Sequence, residues 1–131
     1  MSGSRFVVQE HTTVEGVHWD LMLEQDGILT TFRLESEPAQ AMAHAVRAVK
    51  ISDHPLRFLT YEGPVQKGTG RVHIVDSGLY SFRDRRDDFW ALSMNGGILN
   101  GDFSLTRVEG DVWQFGPPCC DLTRAMGALR L

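Results

Sequence analysis

In Val17-His18-Trp19-Asp20-Leu21-Met22-Leu23-Glu24 apolar and polar residues alternate, and Gln25-Asp26-Gly27 follows at once. A strand turns successive side chains to opposite faces. Trp19, Leu21 and Leu23 therefore form one apolar row suited to a core, while His18, Asp20, Met22 and Glu24 share the other. Asp-Gly tolerates positive φ, so the turn predicts a hairpin into a further strand over Gly27–Leu34. Arg5–Glu10 reads as the strand before. Further on, period-2 alternation predicts strands at Val46–Ile51, Gly70–Val75, Gly78–Phe82, Phe89–Met94, Ile98–Val108 and Val112–Phe115. Asn95-Gly96-Gly97 and Glu109-Gly110-Asp111 are the natural turns between the last three.

The exceptions are few. Pro38 followed by alanines at 39, 41, 43 and 45 predicts a short helix within Glu37–Arg47. A second is expected over Asp121–Leu129, with Asp121 as its N-cap. Asp53-His54-Pro55-Leu56 breaks the strand pattern, Gly63, Gly68 and Gly70 mark a loop, and Arg83–Asp88 reads as a solvated charged turn. Many short strands with tight turns predict a mostly β fold, a small barrel or sandwich of about eight short strands with one or two short helices.

Residues 1–131 are expected to form a single domain, long enough for its own core. No apolar run approaches the roughly 18–20 residues of a membrane-spanning helix. Met1-Ser2-Gly3-Ser4-Arg5 lacks the apolar centre of a signal peptide, so a cytoplasmic, non-membrane location is expected. Cys119 and Cys120 are adjacent, without the spacing of a zinc or redox motif, and read as structural thiols. The net charge of −4 argues against strong non-specific DNA binding but leaves room for a small basic surface that holds one strand end.

Chemistry concentrates in Gln9-Glu10-His11 and His18-Trp19-Asp20. His18 and Asp20 project together, and the short connection from His11 can return it beside His18. Two imidazoles and a carboxylate form a three-ligand site with open positions, better suited to manganese or zinc than to magnesium alone. Such a pair also arises by chance on strands, so spacing alone leaves an ordinary surface reading ahead. His54 is a further loop candidate. His44, in the alanine-rich segment, and His73, in mid-strand, carry no such pattern.

Phe6-Val7-Val8-Gln9-Glu10-His11, His18-Trp19-Asp20-Leu21-Met22-Leu23-Glu24-Gln25-Asp26-Gly27 and Ser52-Asp53-His54-Pro55-Leu56-Arg57-Phe58 occur here in the order of a known pattern. With Tyr61-Glu62-Gly63 and Leu99-Asn100-Gly101-Asp102-Phe103-Ser104-Leu105, the sequence resembles the 3′-phosphoesterase domain family of bacterial DNA ligase D over about residues 5–108. The resemblance implies a small β-barrel and a divalent metal, typically manganese, on His11, His18 and Asp20. It assigns phosphate contact to His54, and catalysis to His54 with the three metal ligands. The activity implied is removal of 3′-terminal ribonucleotides and 3′-phosphates from nucleic-acid 3′ ends. A ligase or polymerase would act in trans.

Three departures stand out. The interval from His11 to His18 is one residue longer than the family's, the family arginine after H-x-D-L is Met22, and a tyrosine is Phe58. Losing one donor to a transferring phosphoryl group commonly costs about 100- to 1000-fold in rate. Arg57 is the expected replacement phosphate ligand, with Lys50, Arg71 and Tyr61 as alternatives. Two readings stay open: a metal-dependent phosphoesterase, and a catalytically impaired relative that binds nucleic-acid ends or a repair protein.

Overall fold

The computed structural model describes residues 4–118. Alternation yields β1 (Ser4–Thr13), β2 (Gly16–Gln25) and β3 (Ile28–Leu34), then β4 (Val46–His54), β5 (Gly63–Val65), β6 (Gly70–Arg85), β7 (Phe89–Gly96), β8 (Asn100–Glu109) and β9 (Val112–Gly116). Asp26 at φ 51° and Gly27 at φ 83° supply the two left-handed residues of a tight hairpin turn. Antiparallel pairing runs β1-β2-β3-β4-β9-β8-β7-β6, and β6 returns to β1, closing an eight-stranded barrel. The short β5 lies beside the first residues of β6, outside that ring.

Phe6, Val8, Leu21, Leu23, Phe32 and Leu34 are the inward rows of the first three strands, and all are buried. They meet Trp90, Trp113, Phe103 and Phe115 from the far wall, so one apolar cluster draws on all eight strands. Phe32 stands edge-on to both tryptophans, with ring centroids 5.6 and 5.4 Å apart, a favoured geometry for aromatic quadrupoles. Val7, Met22, Leu29 and Leu59 form a second cluster joined by Leu56, Phe58 and Ile74. Its residues on β1 and β2 alternate with inward ones, so it lies on the outer wall. There the segment after β4 folds back against the barrel.

Gly70–Val75 and Gly78–Phe82, expected as two strands, are one continuous strand, β6. A bulge opposite Val8 and Gln9 absorbs the irregularity. Asp76 beside it is buried, and its carboxylate accepts the backbone N–H groups of Gly97, Ile98 and Leu99 at 2.8, 3.1 and 2.7 Å. It thereby caps the turn between β7 and β8. Gly78 is required by close approach, because a Cβ there would lie 2.2 Å from the carbonyl oxygen of Asn95.

The helix expected within Glu37–Arg47 is only a 3-10 turn over Pro38–Met42, and β4 begins at Val46. Only Pro38 and Ala41 of that turn are buried. Without an apolar stripe recurring each turn, nothing holds a longer helix to the barrel. β4 runs through His54, so the break falls at Pro55, followed by a 3-10 turn over Leu56–Leu59. The glycine-marked loop contains β5 and a 3-10 turn at Gln66–Gly68. β6 extends to Arg85, which shortens the expected charged turn at Arg83–Asp88. The expected tail helix, Cys119 and Cys120 lie outside the described residues.

Candidate active site

Register assembles the site from neighbouring strands. His11 of β1 lies directly opposite His18 of β2, and Gln9 lies opposite Asp20. On the other side of β2, Asp20 faces Arg33 and Met22 faces Thr31. Directly paired residues share a face, so all of these belong to the outer wall beside the second apolar cluster.

His11 Nδ1 and His18 Nε2 are 2.9 Å apart. Asp20 Oδ2 lies 4.0 Å from the former and Oδ1 lies 3.7 Å from the latter. One ligand atom from each of the three residues falls within 4.8 Å of the others. His11 and Asp20 are buried and His18 is partly exposed. Burial, reinforced by His18, lowers the His11 pKa below the ordinary imidazole value; Asp20 pulls the other way, and Arg33 and His54 add to the lowering. A neutral imidazole offers a lone pair where an imidazolium cannot.

The donor set fits a divalent cation. Two nitrogens and a carboxylate converge, His11 through Nδ1; the Nε2 on the other edge of that ring is buried, with no hydrogen-bond partner among the described residues. Gly70 makes room for the ring, since a Cβ at that position would lie 2.9 Å from His11 Nε2 and 2.9 Å from Gln66 Oε1.

A cavity of about 470 Å³ adjoins the triad. Its lining includes His11 and Asp20, Met22 and Phe58 from the apolar cluster, and His54 and Arg33. Thr31 Oγ donates to the carbonyl of Leu29, which leaves its oxygen to accept from His54 Nδ1 at 3.0 Å. The carbonyl of Ser52 also lies 3.1 Å from Nδ1. Two acceptors at one ring nitrogen assign the proton to Nδ1 and leave Nε2 as the second functional atom. The Phe58 ring packs edge-on against His54 with centroids 5.5 Å apart. The buried Gln9 amide donates to the carbonyls of Phe58 and Tyr61 at 3.0 and 2.9 Å, tying this segment to the wall.

The four cationic or hydroxyl candidates lie elsewhere. Arg57 stacks on Phe58 and Tyr61, its guanidinium carbon 4.7 and 5.9 Å from their centroids, and it does not line the cavity. Lys50 pairs with inward-facing Phe32, one residue out of register with the triad's row. Arg71 lines a separate cleft with Glu10 and His73. Tyr61 donates its hydroxyl to the carbonyl of Pro64. His44 is exposed and bonded to Gln40 and Ala45, and His73 pairs with Glu62 at 3.0 Å. The residues not read as site members were Gln9, Thr31, Arg33 and Gln66.

Together these features give a closed β-barrel that carries two histidines and an aspartate on its outer wall, beside a cavity that a further histidine lines. Residues 9–107 match the DNA ligase D 3′-phosphoesterase domain, and the chain belongs to that family. It is 33% identical over 118 residues to the multifunctional non-homologous end joining DNA repair protein LigD of Mycobacterium tuberculosis. The LigD protein of Mycobacterium bovis gives the same identity over the same length. Each match covers 85% of this chain and 15% of the relative. The Pseudomonas aeruginosa counterpart is 30% identical over 113 residues, 80% of this chain and 13% of its own length. The chain thus spans about one seventh of these relatives. No described helix is long and apolar enough to cross a membrane.

Proposed function

We propose that this chain is a metal-dependent phosphoesterase acting on nucleic-acid 3′ ends, removing a 3′-phosphate or 3′-ribonucleotide in DNA end repair. The observation that carries this reading is the convergence of His11, His18 and Asp20 within 4.8 Å beside a cavity that His54 also lines. Family membership and the end-joining names of the relatives support it.

In this reading His11, His18 and Asp20 hold a divalent cation, manganese before zinc. When bound, such a cation supplies Lewis-acid polarisation of a phosphoryl oxygen and acidifies a bound water. His54, its Nδ1 proton engaged by Thr31 and Ser52, presents Nε2 to the substrate. As an imidazolium it donates there to a phosphate or leaving-group oxygen; as a neutral ring it accepts a proton. Phe58 fixes the plane of that ring without contributing a donor. Gln9 keeps the segment carrying Phe58 closed on the wall. The partner activity this reading implies is that of a ligase or polymerase that uses the trimmed end.

One observation favours the second reading, a catalytically impaired relative that binds nucleic-acid ends or a repair protein: Met22 is buried and Phe58 lacks a hydroxyl, so neither supplies phosphate with a donor. Release of inorganic phosphate or ribonucleoside from 3′-modified DNA in manganese, by the parent and by Asp20→Ala, separates the two. Turnover by the parent that Asp20→Ala abolishes supports the enzyme. A manganese-loaded parent inert on both substrates refutes it.

A further inference from the structure

Among the described residues, Arg33 is the one lysine or arginine that lines the triad's cavity. It is also the one such residue lining a second cavity of about 470 Å³, formed by the β1–β2 hairpin tip with His18, Gln66 and Thr69. The side chain therefore stands at the seam of two concave surfaces, with the triad between them. Its Nε donates to Asp20 Oδ1 at 3.3 Å. That single bond leaves the two terminal nitrogens without a protein partner among the described residues. The Arg33 side chain is 39% exposed, while the Asp20 side chain is 4% exposed. A guanidinium anchored at Nε and open at its far edge presents the paired N–H groups that match two phosphate oxygens.

We infer that Arg33 is the phosphate clamp of this site, gripping the terminal phosphate of a nucleic-acid 3′ end while its Nε stays on Asp20. The inference rests on the phosphoesterase reading and deepens it. It also accounts for a site in which position 22 is apolar and Arg57 is committed to aromatic rings: the cation comes from the next strand, at the cavity rim.

Arg33 has an alternative role, holding Asp20 in place for metal, and the two differ in sign. As a clamp, Arg33 repels a cation on the triad, so Arg33→Gln leaves manganese affinity unchanged or tighter while phosphate binding falls. As a support for Asp20, its loss weakens manganese binding.

The experiment compares binding of a fluorescent oligonucleotide ending in a 3′-phosphate with the same strand ending in a 3′-hydroxyl, in EDTA. Manganese titration and steady-state kinetics accompany it, for the parent, Arg33→Gln, Arg33→Lys and the remote control Arg83→Gln. The clamp predicts that Arg33→Gln reduces the preference for phosphate by about 10- to 100-fold and raises KM, with Arg33→Lys intermediate and Arg83→Gln like the parent. Loss of manganese affinity in Arg33→Gln overturns the clamp in favour of support for Asp20. Undiminished preference in Arg33→Gln, with a parent that hydrolyses, overturns the clamp and leaves the phosphoesterase reading intact. A parent with neither phosphate preference nor hydrolysis overturns both.

Discussion

Replacing Gln9 tests whether the wall of the site is held together as described. Gln9 is 1% exposed, and its amide nitrogen donates to two carbonyls, those of Phe58 and Tyr61. Gln9→Ala removes two neutral hydrogen bonds worth about 0.5–1.5 kcal/mol each, so a loss of about 2 kcal/mol is expected. Gln9→Glu keeps the shape and reverses the chemistry, setting a buried carboxylate against two carbonyl oxygens. An uncompensated buried charge costs about 3–5 kcal/mol, so Gln9→Glu should be the worse variant at pH 7, against a total stability of about 5–15 kcal/mol for such a domain. The sign of its pH dependence follows. Burial and the two acceptors raise the folded-state pKa of Glu at this position above its unfolded value of about 4.3. The folded state then binds more protons across that interval, and Gln9→Glu recovers stability as pH falls towards 4.3. Urea unfolding at pH 5 and pH 7 reads both effects. If Gln9→Glu matches Gln9→Ala at pH 7, or if both lie within 0.5 kcal/mol of the parent by this ~1 kcal/mol-per-bond scale, the tie across the site is not what holds the segment.

Other expectations concern the triad. His11→Ala and Asp20→Ala should each weaken manganese or zinc binding by about 100-fold or more in calorimetric titration, since a three-ligand set loses a third of its donors; His44→Ala, exposed and distant, should bind like the parent. The His11 pKa lies below 6.5, so metal affinity should hold near pH 7 and drop as pH falls through that lowered value, by up to about tenfold per pH unit from this ring alone. The metal-free fold should likewise lose the His11 contribution to stability as pH falls below 6.5, seen as a lower melting temperature in acid. Gly70→Ala should reduce metal affinity by about 10- to 100-fold, because its Cβ meets the His11 ring as well as the movable Gln66 side chain; equal affinities would show that His11 has room to shift.

The barrel was legible because its signals are local. Alternation gave the inward rows, and Asp26-Gly27 gave the hairpin between β2 and β3. The triad was legible for the same reason, since His18 and Asp20 are two apart and His11 lies just across a short connection. Arg33 was open to the same logic: counting back from the Asp26-Gly27 turn puts it directly opposite Asp20. Gln9 shares the face of His11 by simple alternation. Neither was read as a site residue, since arginines at odd strand positions and glutamines beside histidines are common without a role. The helix at 37–47 failed because alanine propensity is weak where no apolar stripe meets the barrel. The union of two expected strands into β6 depends on a bulge and on Asp76 bonding a turn some twenty residues away, which no local pattern reports.

The closed barrel also explains where the chemistry sits. Its interior is filled by Phe6, Phe32, Trp90, Trp113, Phe103 and Phe115, which leaves no room for the triad there, and His11, His18, Asp20 and Arg33 lie on the outer wall. An outer wall alone is too open to shape a site. The segment from Pro55 to Thr69 supplies the second side by folding over β1, β2 and β3, and the cluster of Val7, Met22, Leu29 and Leu59 is the seal between the two. Met22 is buried because it belongs to that seal. Met22 also lines the cavity, so an arginine there would set its charged end beside apolar neighbours, at a desolvation cost that methionine avoids. Phe58 sits on the same seal and orients His54 by packing, without a hydroxyl. Both departures from the family pattern thus make the floor of the cavity more apolar and strengthen the join between wall and segment. The positive charge that the proposed phosphate substrate would require is then left to the rim, where Arg33 stands with its far edge in solvent and its Nε on Asp20.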